Sequence, residues 1–102
     1  MAHNHQGDAV AKHRFQAHRR VLGLRLQKAR KAAELTQDDV AVKLGYSQDQ
    51  ITSMERKGRR LDLFEAAELA HLYGVSLDEL AAAPTTQEIA EEKARPERRD
   101  KA

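Results

Sequence analysis

The apolar positions of the chain recur at the spacing of helices, and no stretch alternates as a half-buried strand would. In the first third, the steps between apolar residues are seven, four, three and four, which places them on one face of a helix over residues 9–33. The residues of this stripe are Phe15, Leu22, Leu26, Ala29 and Ala33. Gly23 leaves open whether the segment is one helix or two.

Shorter helices follow, each marked by a residue that favours a helix start and most by a glycine that ends it. The predicted cap residues are Thr36, Ser47, Asp62 and Ser76. The glycines after the first three of these helices are Gly45, Gly58 and Gly74. The side chains predicted to face the core are Val40, Ala41, Leu44, Ile51, Met54, Leu63, Ala66, Ala67, Leu69, Ala70 and Tyr73.

The two ends of the chain differ from its middle. Residues 1–8 are short and polar, which is typical of a flexible arm. Residues 84–102 carry one aliphatic side chain, Ile89, and cannot bury enough apolar surface to order themselves, so we expect a disordered tail. Thr85 and Glu88 favour at most a transient helix there. This leaves residues 9–83 as the folded domain.

Composition supports a single helical domain. The chain has 102 residues, with 33% charged and 4% aromatic side chains, which suits packing by Leu, Ala and Val and argues against a sheet. The absence of cysteine excludes disulfides, thiolate zinc sites and cysteine nucleophiles. No apolar run approaches the ~18 residues of a membrane span, and the start MAHNHQGD is no signal peptide, so we expect a cytoplasmic protein.

Charge is distributed unevenly. Residues 9–60 hold 13 Lys and Arg against five Asp and Glu, whereas residues 61–83 hold five Asp and Glu and no Lys or Arg. A basic portion of this kind suits contact with a polyanion, although ordinary solvated helix faces are the alternative.

Residues 37–56 (QDDVAVKLGYSQDQITSMER) have the features that two short helices need when they meet at a steep angle. Ala41 is small where the second helix crosses the first. Gly45 tolerates the positive φ of the turn. Ile51 and Met54, three residues apart, anchor the second helix and leave its other face free. Together these residues predict a helix-turn-helix motif.

Residues 22–81 resemble the lambda repressor/Cro-like (XRE-type) DNA-binding family along LGLRLQKARKAAELTQDDVAVKLGYS, ITSMERKGRRLD and LAHLYGVSLDEL. The resemblance implies an all-α, compact five-helix domain, here with an N-terminal helical extension and the disordered tail. It also implies a structural bridge between Arg30 and Glu55. Two positions depart from the family: Glu34 stands where glycine is common, and Gly58 comes one residue late after Glu55.

The resemblance makes residues 48–56 the recognition helix, which enters the major groove of DNA. The expected base-reading residues are Gln48, Asp49, Thr52 and Ser53. Glutamine can pair with adenine, an acid can accept from cytosine, and the threonine methyl can meet that of thymine.

Other residues are expected to bind DNA phosphates. They are Gln37, Ser47, Gln50, Arg56, Lys57, Arg59 and Arg60. The first helix also carries basic side chains, at Lys12, Arg14, Arg19 and Arg20. They either follow the flanking DNA backbone or belong to a solvated extension that packs Phe15 on the core.

The predicted function is a sequence-specific transcriptional regulator, a dimeric repressor that reads an inverted repeat in double-stranded DNA. Leu77 and Leu80 are the candidate homodimer interface, by resemblance to the family's use of its last helices. The alternative is an antitoxin or mobile-element control protein that autoregulates its operon and binds a protein partner through the tail. An RNA-binding or coactivator role lacks aromatic stacking residues.

No catalytic arrangement and no cofactor motif is present in the sequence, so we do not expect an enzyme. The five histidines are His3, His5, His13, His18 and His71. His3 and His5 lie in the predicted arm without a cysteine or fixed carboxylate, so no metal site is expected.

Overall fold

A computed structural model describes residues 5–58 and 61–96, with side chains for residues 15–56, 58 and 61–96. This part of the chain is all-helical and contains no strand, which confirms the predicted fold class. Its helices are α1 (His5–Ala32), α2 (Gln37–Leu44), α3 (Gln48–Lys57), α4 (Leu63–Tyr73), α5 (Leu77–Ala81) and α6 (Thr86–Lys93).

The helices after α1 begin at capping boxes, in which a cap side chain and the side chain three residues later each accept a hydrogen bond from the other's backbone N–H. At α2, Asp39 N donates to Thr36 Oγ1 at 3.0 Å and Thr36 N donates to Asp39 Oδ2 at 2.8 Å. The predicted caps Ser47, Asp62 and Ser76 are confirmed in the same geometry. The predicted glycine ends are confirmed as well, at Gly45, Gly58 and Gly74.

Helix α1 is continuous through Gly23, which settles the question of one helix or two. Helix α3 packs directly against it there, because a Cβ atom on Gly23 would lie 2.6 Å from Glu55 O and 3.0 Å from Met54 O. The glycine therefore permits a close approach of two backbones, and the helix does not need to break.

The core lies between α1 and the helices that pack on it. Its buried apolar side chains are Val21, Leu24, Leu26, Val40, Ala41, Ile51, Met54, Leu69, Ala70, Tyr73 and Leu80. Two predicted core residues are exposed. Phe15 is 51% exposed because α3 ends at Lys57 and its cap residue, Gly58, packs against the Arg19 carbonyl, one turn of α1 after Phe15. Leu63 is 64% exposed because the buried positions of α4 are in its second half.

The expected disordered tail contains an ordered helix, α6, over Thr86–Lys93. Ion pairs hold it on α1: Arg25 Nη2 lies 2.7 Å from Glu88 Oε1, and Lys28 Nζ lies 2.7 Å from Glu91 Oε2. The prediction of disorder rested on the lack of apolar side chains, whereas the helix is attached by ion pairs. The expected flexible arm also differs, because α1 already begins at His5; residues 1–4 and 97–102 lie outside the described residues.

Glu34 has a φ of 62°, in the left-handed region that glycine adopts without strain. This is the position at which the sequence departs from the glycine of the resembled family. The turn from α1 to α2 thus keeps the backbone geometry that a glycine would give, with glutamate in its place.

Candidate nucleic-acid interface

The turn between α2 and α3 is closed by backbone hydrogen bonds to one carbonyl. Gly45 N and Tyr46 N both donate to Ala41 O, at 2.9 and 3.0 Å, and Gly45 is left-handed with φ 74°. Tyr46 Oη donates to Glu68 Oε1 at 3.0 Å, which ties the turn to α4. Burial, followed by this hydrogen bond, raises the pKa of Tyr46 to about 12. The turn is therefore attached to α2 by backbone hydrogen bonds and to α4 by a side-chain hydrogen bond.

One face of α3 is locked into the protein. Ile51 is 1% exposed, and Met54 and Glu55 are 2% exposed. Burial of two such apolar side chains contributes about 1.5–3 kcal/mol each. The orientation of α3 is thus set by its inner face, which leaves the outer face of its first turn available for contacts.

Glu55 and Arg30 form a buried, two-pronged ion pair. Arg30 Nε donates to Glu55 Oε2 at 2.7 Å, and Arg30 Nη2 donates to Glu55 Oε1 at 3.0 Å. Arg30 Nη1 also donates to Leu35 O at 2.9 Å. The hydrogen bonds to Glu55 raise the pKa of Arg30, so the guanidinium stays charged. This pair joins α3 to α1 and to the loop before α2.

Two of the residues predicted to contact DNA form hydrogen bonds within the protein. Gln37 Nε2 donates to Glu55 Oε1 at 3.1 Å, and Thr52 Oγ1 donates to Gln37 Oε1 at 3.0 Å. Gln37 and Thr52 are both half-buried. This network could not be predicted from local sequence, because it depends on how α2 and α3 cross. It extends the Arg30–Glu55 pair toward the outer face of α3.

The first turn of α3 presents the most accessible of the predicted base-reading residues. Gln48 and Asp49 are exposed, whereas Ser53 is half-buried. Ser47 and Gln50 are also exposed, but their side chains form the capping box of α3: Gln50 N donates to Ser47 Oγ at 3.1 Å, and Ser47 N donates to Gln50 Oε1 at 2.8 Å.

The predicted cations after α3 are only partly described. Arg56 is half-buried, while the Lys57 side chain and residues Arg59 and Arg60 lie outside the described part of the chain. On α1, Arg19 is half-buried and Arg20 is exposed. The side chains of Lys12 and Arg14 also lie outside it.

The two candidate interface leucines have different environments. Leu80 is 6% exposed and belongs to the core of its own chain, whereas Leu77 is 36% exposed. Leu80 is thus already packed in the core of its own domain. Leu77 is left as the candidate of the two.

Sequence reasoning missed three charged residues that organise the C-terminal part. Arg25 Nη2 and Nε donate to the Glu88 carboxylate at 2.7 and 2.8 Å. Arg25 Nη1 donates to the carbonyls of Ala82 and Leu80 at 2.7 and 3.0 Å. Arg95 Nη2 donates to Glu55 O at 2.8 Å. Arg25 and Glu88 are 63 residues apart, so no local pattern could reveal their pairing.

Within residues 5–58 and 61–96, no group of three or more His, Cys, Asp or Glu side chains is arranged to hold a metal ion. In the same part of the chain, no helix has both the length and the apolarity of a membrane span.

Comparison with known proteins identifies the fold. A helix-turn-helix family model matches residues 26–80, which is just over half of the chain and includes the turn and both of its helices. Comparisons with curated proteins and with solved structures give no significant match.

Proposed function

Because the chain belongs to the lambda repressor/Cro-like (XRE-type) helix-turn-helix family of DNA-binding proteins, we propose that it is a sequence-specific transcriptional regulator that acts as a dimeric repressor. In this proposal α3 enters the major groove and its first turn reads base edges. A regulator of this kind acts where the DNA is, in the cytoplasm.

One observation carries the proposal: α3 is held rigidly by its inner face while Gln48 and Asp49 are exposed at its N-terminus. Glutamine can recognise adenine through two hydrogen bonds, and an aspartate can accept one from cytosine. Ser53 and the methyl group of Thr52 extend the contact along the groove. The hydroxyl of Thr52, which donates to Gln37, acts in positioning.

The phosphate contacts assigned to Gln37, Ser47, Gln50 and the basic segment 56–60 would orient the domain on the duplex. Gln37 and Gln50 have hydrogen bonds within the protein in this structure, so their phosphate contacts would form through remaining donors or after a change of partner. The cations of residues 56–60 supply the attraction that is independent of sequence.

A single small module gives limited specificity, which is why the proposal includes a dimer on two half-sites about 10 bp apart. Leu77, the exposed one of the two candidate leucines, is the interface residue that we retain. The acidic residues of the segment 61–83 suit a surface that faces away from DNA.

The test is a selection from a random duplex library with the full chain at two salt concentrations. We expect an inverted repeat with half-sites about one helical turn apart, recovered at both concentrations. Recovery of no motif, with binding lost as salt rises, would contradict sequence-specific recognition and indicate purely electrostatic binding.

The alternative, an antitoxin or mobile-element control protein, uses the same DNA-binding surface and adds a partner for residues 84–102. The packing of α6 on α1 favours the regulator, because the tail helix already has a binding surface within its own chain. Co-expression with a partner, and protection of the tail from protease by that partner, would instead support the alternative.

A further inference from the structure

The segment after the family domain connects three helices through charged side chains. Near its start, Arg25 of α1 donates to the carbonyls of Leu80, Ala82 and Ala83 and to the carboxylate of Glu88. Just after the end of α6, Arg95 donates to a backbone carbonyl of α3. We define this segment, residues 82–96, as the C-terminal clasp. The family match ends at residue 80, so the clasp lies outside the matched domain.

The contact between the clasp and α3 is made to backbone carbonyls. Arg95 Nη2 donates to Glu55 O at 2.8 Å and to Arg56 O at 3.2 Å. Both carbonyls belong to the last four residues of α3, at the C-terminal end of the helix. A guanidinium at this place donates to two carbonyls and adds positive charge at the negative end of the helix dipole.

The clasp is itself attached to α1 by two ion pairs. The side chains of Arg25 and Glu88 are only 14% and 24% exposed, and they meet through two hydrogen bonds. A second pair, Lys28 and Glu91, lies further along α1 and α6. The α3 end of the contact is equally restricted, because the Glu55 carbonyl faces Gly23 of α1 at close range.

We propose that Arg95 is a positioning residue for DNA recognition, which holds the C-terminal end of the recognition helix to the clasp and so fixes the angle at which its first turn meets the bases. This inference rests on the proposed function. It assigns to the clasp a part in specificity that the helix-turn-helix motif itself does not contain. Arg95 acts through α3, and DNA does not have to touch it.

The experiment compares full-chain variants. Arg95→Ala removes the contact, and Arg95→Lys retains a cation that can donate to a carbonyl. Lys93→Ala is the matched control, because it removes a positive charge from α6 at an exposed position that takes no part in these contacts. Two quantities are measured for each: amide hydrogen exchange in the last turn of α3 without DNA, and affinity for the selected operator and for random duplex.

For Arg95→Ala we expect exchange in the last turn of α3 to rise by about threefold to tenfold, as for loss of a typical intramolecular hydrogen bond. Operator affinity should fall by a similar factor, and affinity for random duplex should change only as much as in Lys93→Ala. Arg95→Lys should recover part of both losses.

Two results would overturn the inference. If Arg95→Ala and Lys93→Ala agree in exchange and in both affinities, Arg95 is an ordinary surface charge. If exchange is unchanged while the salt slope of binding falls by about one more than in the control, Arg95 binds a phosphate directly. Should the wild-type chain select no operator, the proposed function fails, and the exchange measurement still decides separately whether the clasp holds α3.

Discussion

The carbonyl of Glu55 and the α-carbon of Gly23 are in backbone-to-backbone contact, so that a methyl group on Gly23 would lie 2.6 Å from Glu55 O. Neither partner is a flexible side chain that could move away. Gly23→Ala should therefore lower the free energy of unfolding by about 1–3 kcal/mol, the usual cost of overpacking, even though alanine favours a helix by about 1 kcal/mol. Urea denaturation measures this. An unchanged or higher midpoint would contradict the close packing of α3 on α1.

Removal of the Glu55 carboxylate should be more costly than the glycine substitution. Glu55→Ala leaves the Arg30 guanidinium buried without its counter-charge and deprives Gln37 Nε2 of its acceptor. We expect a loss of about 3–5 kcal/mol in the free energy of unfolding. Asp38→Asn, which also removes one negative charge but at an exposed site of α2, is the control and should change it by less than about 0.5 kcal/mol. Similar losses for both variants would mean that overall charge matters and the buried pair does not.

The helix boundaries could be predicted from sequence because they depend on local chemistry. A capping box joins residues three apart, and Thr36 with Asp39 or Ser76 with Glu79 can be recognised without knowledge of the rest of the fold. The inward direction of Ile51 and Met54 was predictable for the same reason, since helical periodicity relates neighbouring turns.

The remaining features depend on partners that are distant along the chain. In the sequence Gly23 indicates a possible helix break, whereas in the structure it allows α3 to approach α1 closely. Helical periodicity predicts that Thr52 faces outward, yet its hydroxyl donates to Gln37 because α2 crosses α3 nearby. The attachment of the clasp could not be predicted, because it depends on Arg25 and Arg95. Their acceptors are far away along the chain, so nothing in the sequence distinguishes them from other surface arginines.

Base reading and phosphate binding should separate in two variants. Gln48→Ala removes an exposed group of the first turn of α3, and we expect it to relax preference at one base position at a cost of about 1–3 kcal/mol on the preferred site. Arg59→Ala should weaken binding to all sequences alike and reduce the salt slope by about one. Affinities for the operator, a single-base variant and random duplex, each over a salt series, test both. The assignment is wrong if Gln48→Ala weakens all three duplexes equally.

The two leucines of α5 should affect different properties. Leu80→Ala creates a cavity in the core and should lower the free energy of unfolding by about 2–5 kcal/mol. Leu77→Ala should leave stability nearly unchanged and weaken self-association. Urea denaturation and sedimentation at several protein concentrations distinguish the two effects. If Leu77→Ala does not alter self-association, α5 is not the dimer interface.

The clasp should weaken in acid through one identified group. Hydrogen bonds from Arg25 hold the pKa of Glu88 at about 2, below its ordinary 4.5. A carboxylate with a lowered pKa stabilises the folded state fully above pH 4.5, and this contribution is lost as the pH falls toward 2. The wild type should therefore be more stable than Glu88→Gln at pH 7, and the difference in urea midpoint should shrink progressively between pH 4.5 and 2. The control is Glu92→Gln, on the same helix but outside these contacts, whose difference in urea midpoint from wild type should not shrink in this way. A Glu88→Gln difference that stays constant with pH would mean that the ion pair does not hold α6 on α1.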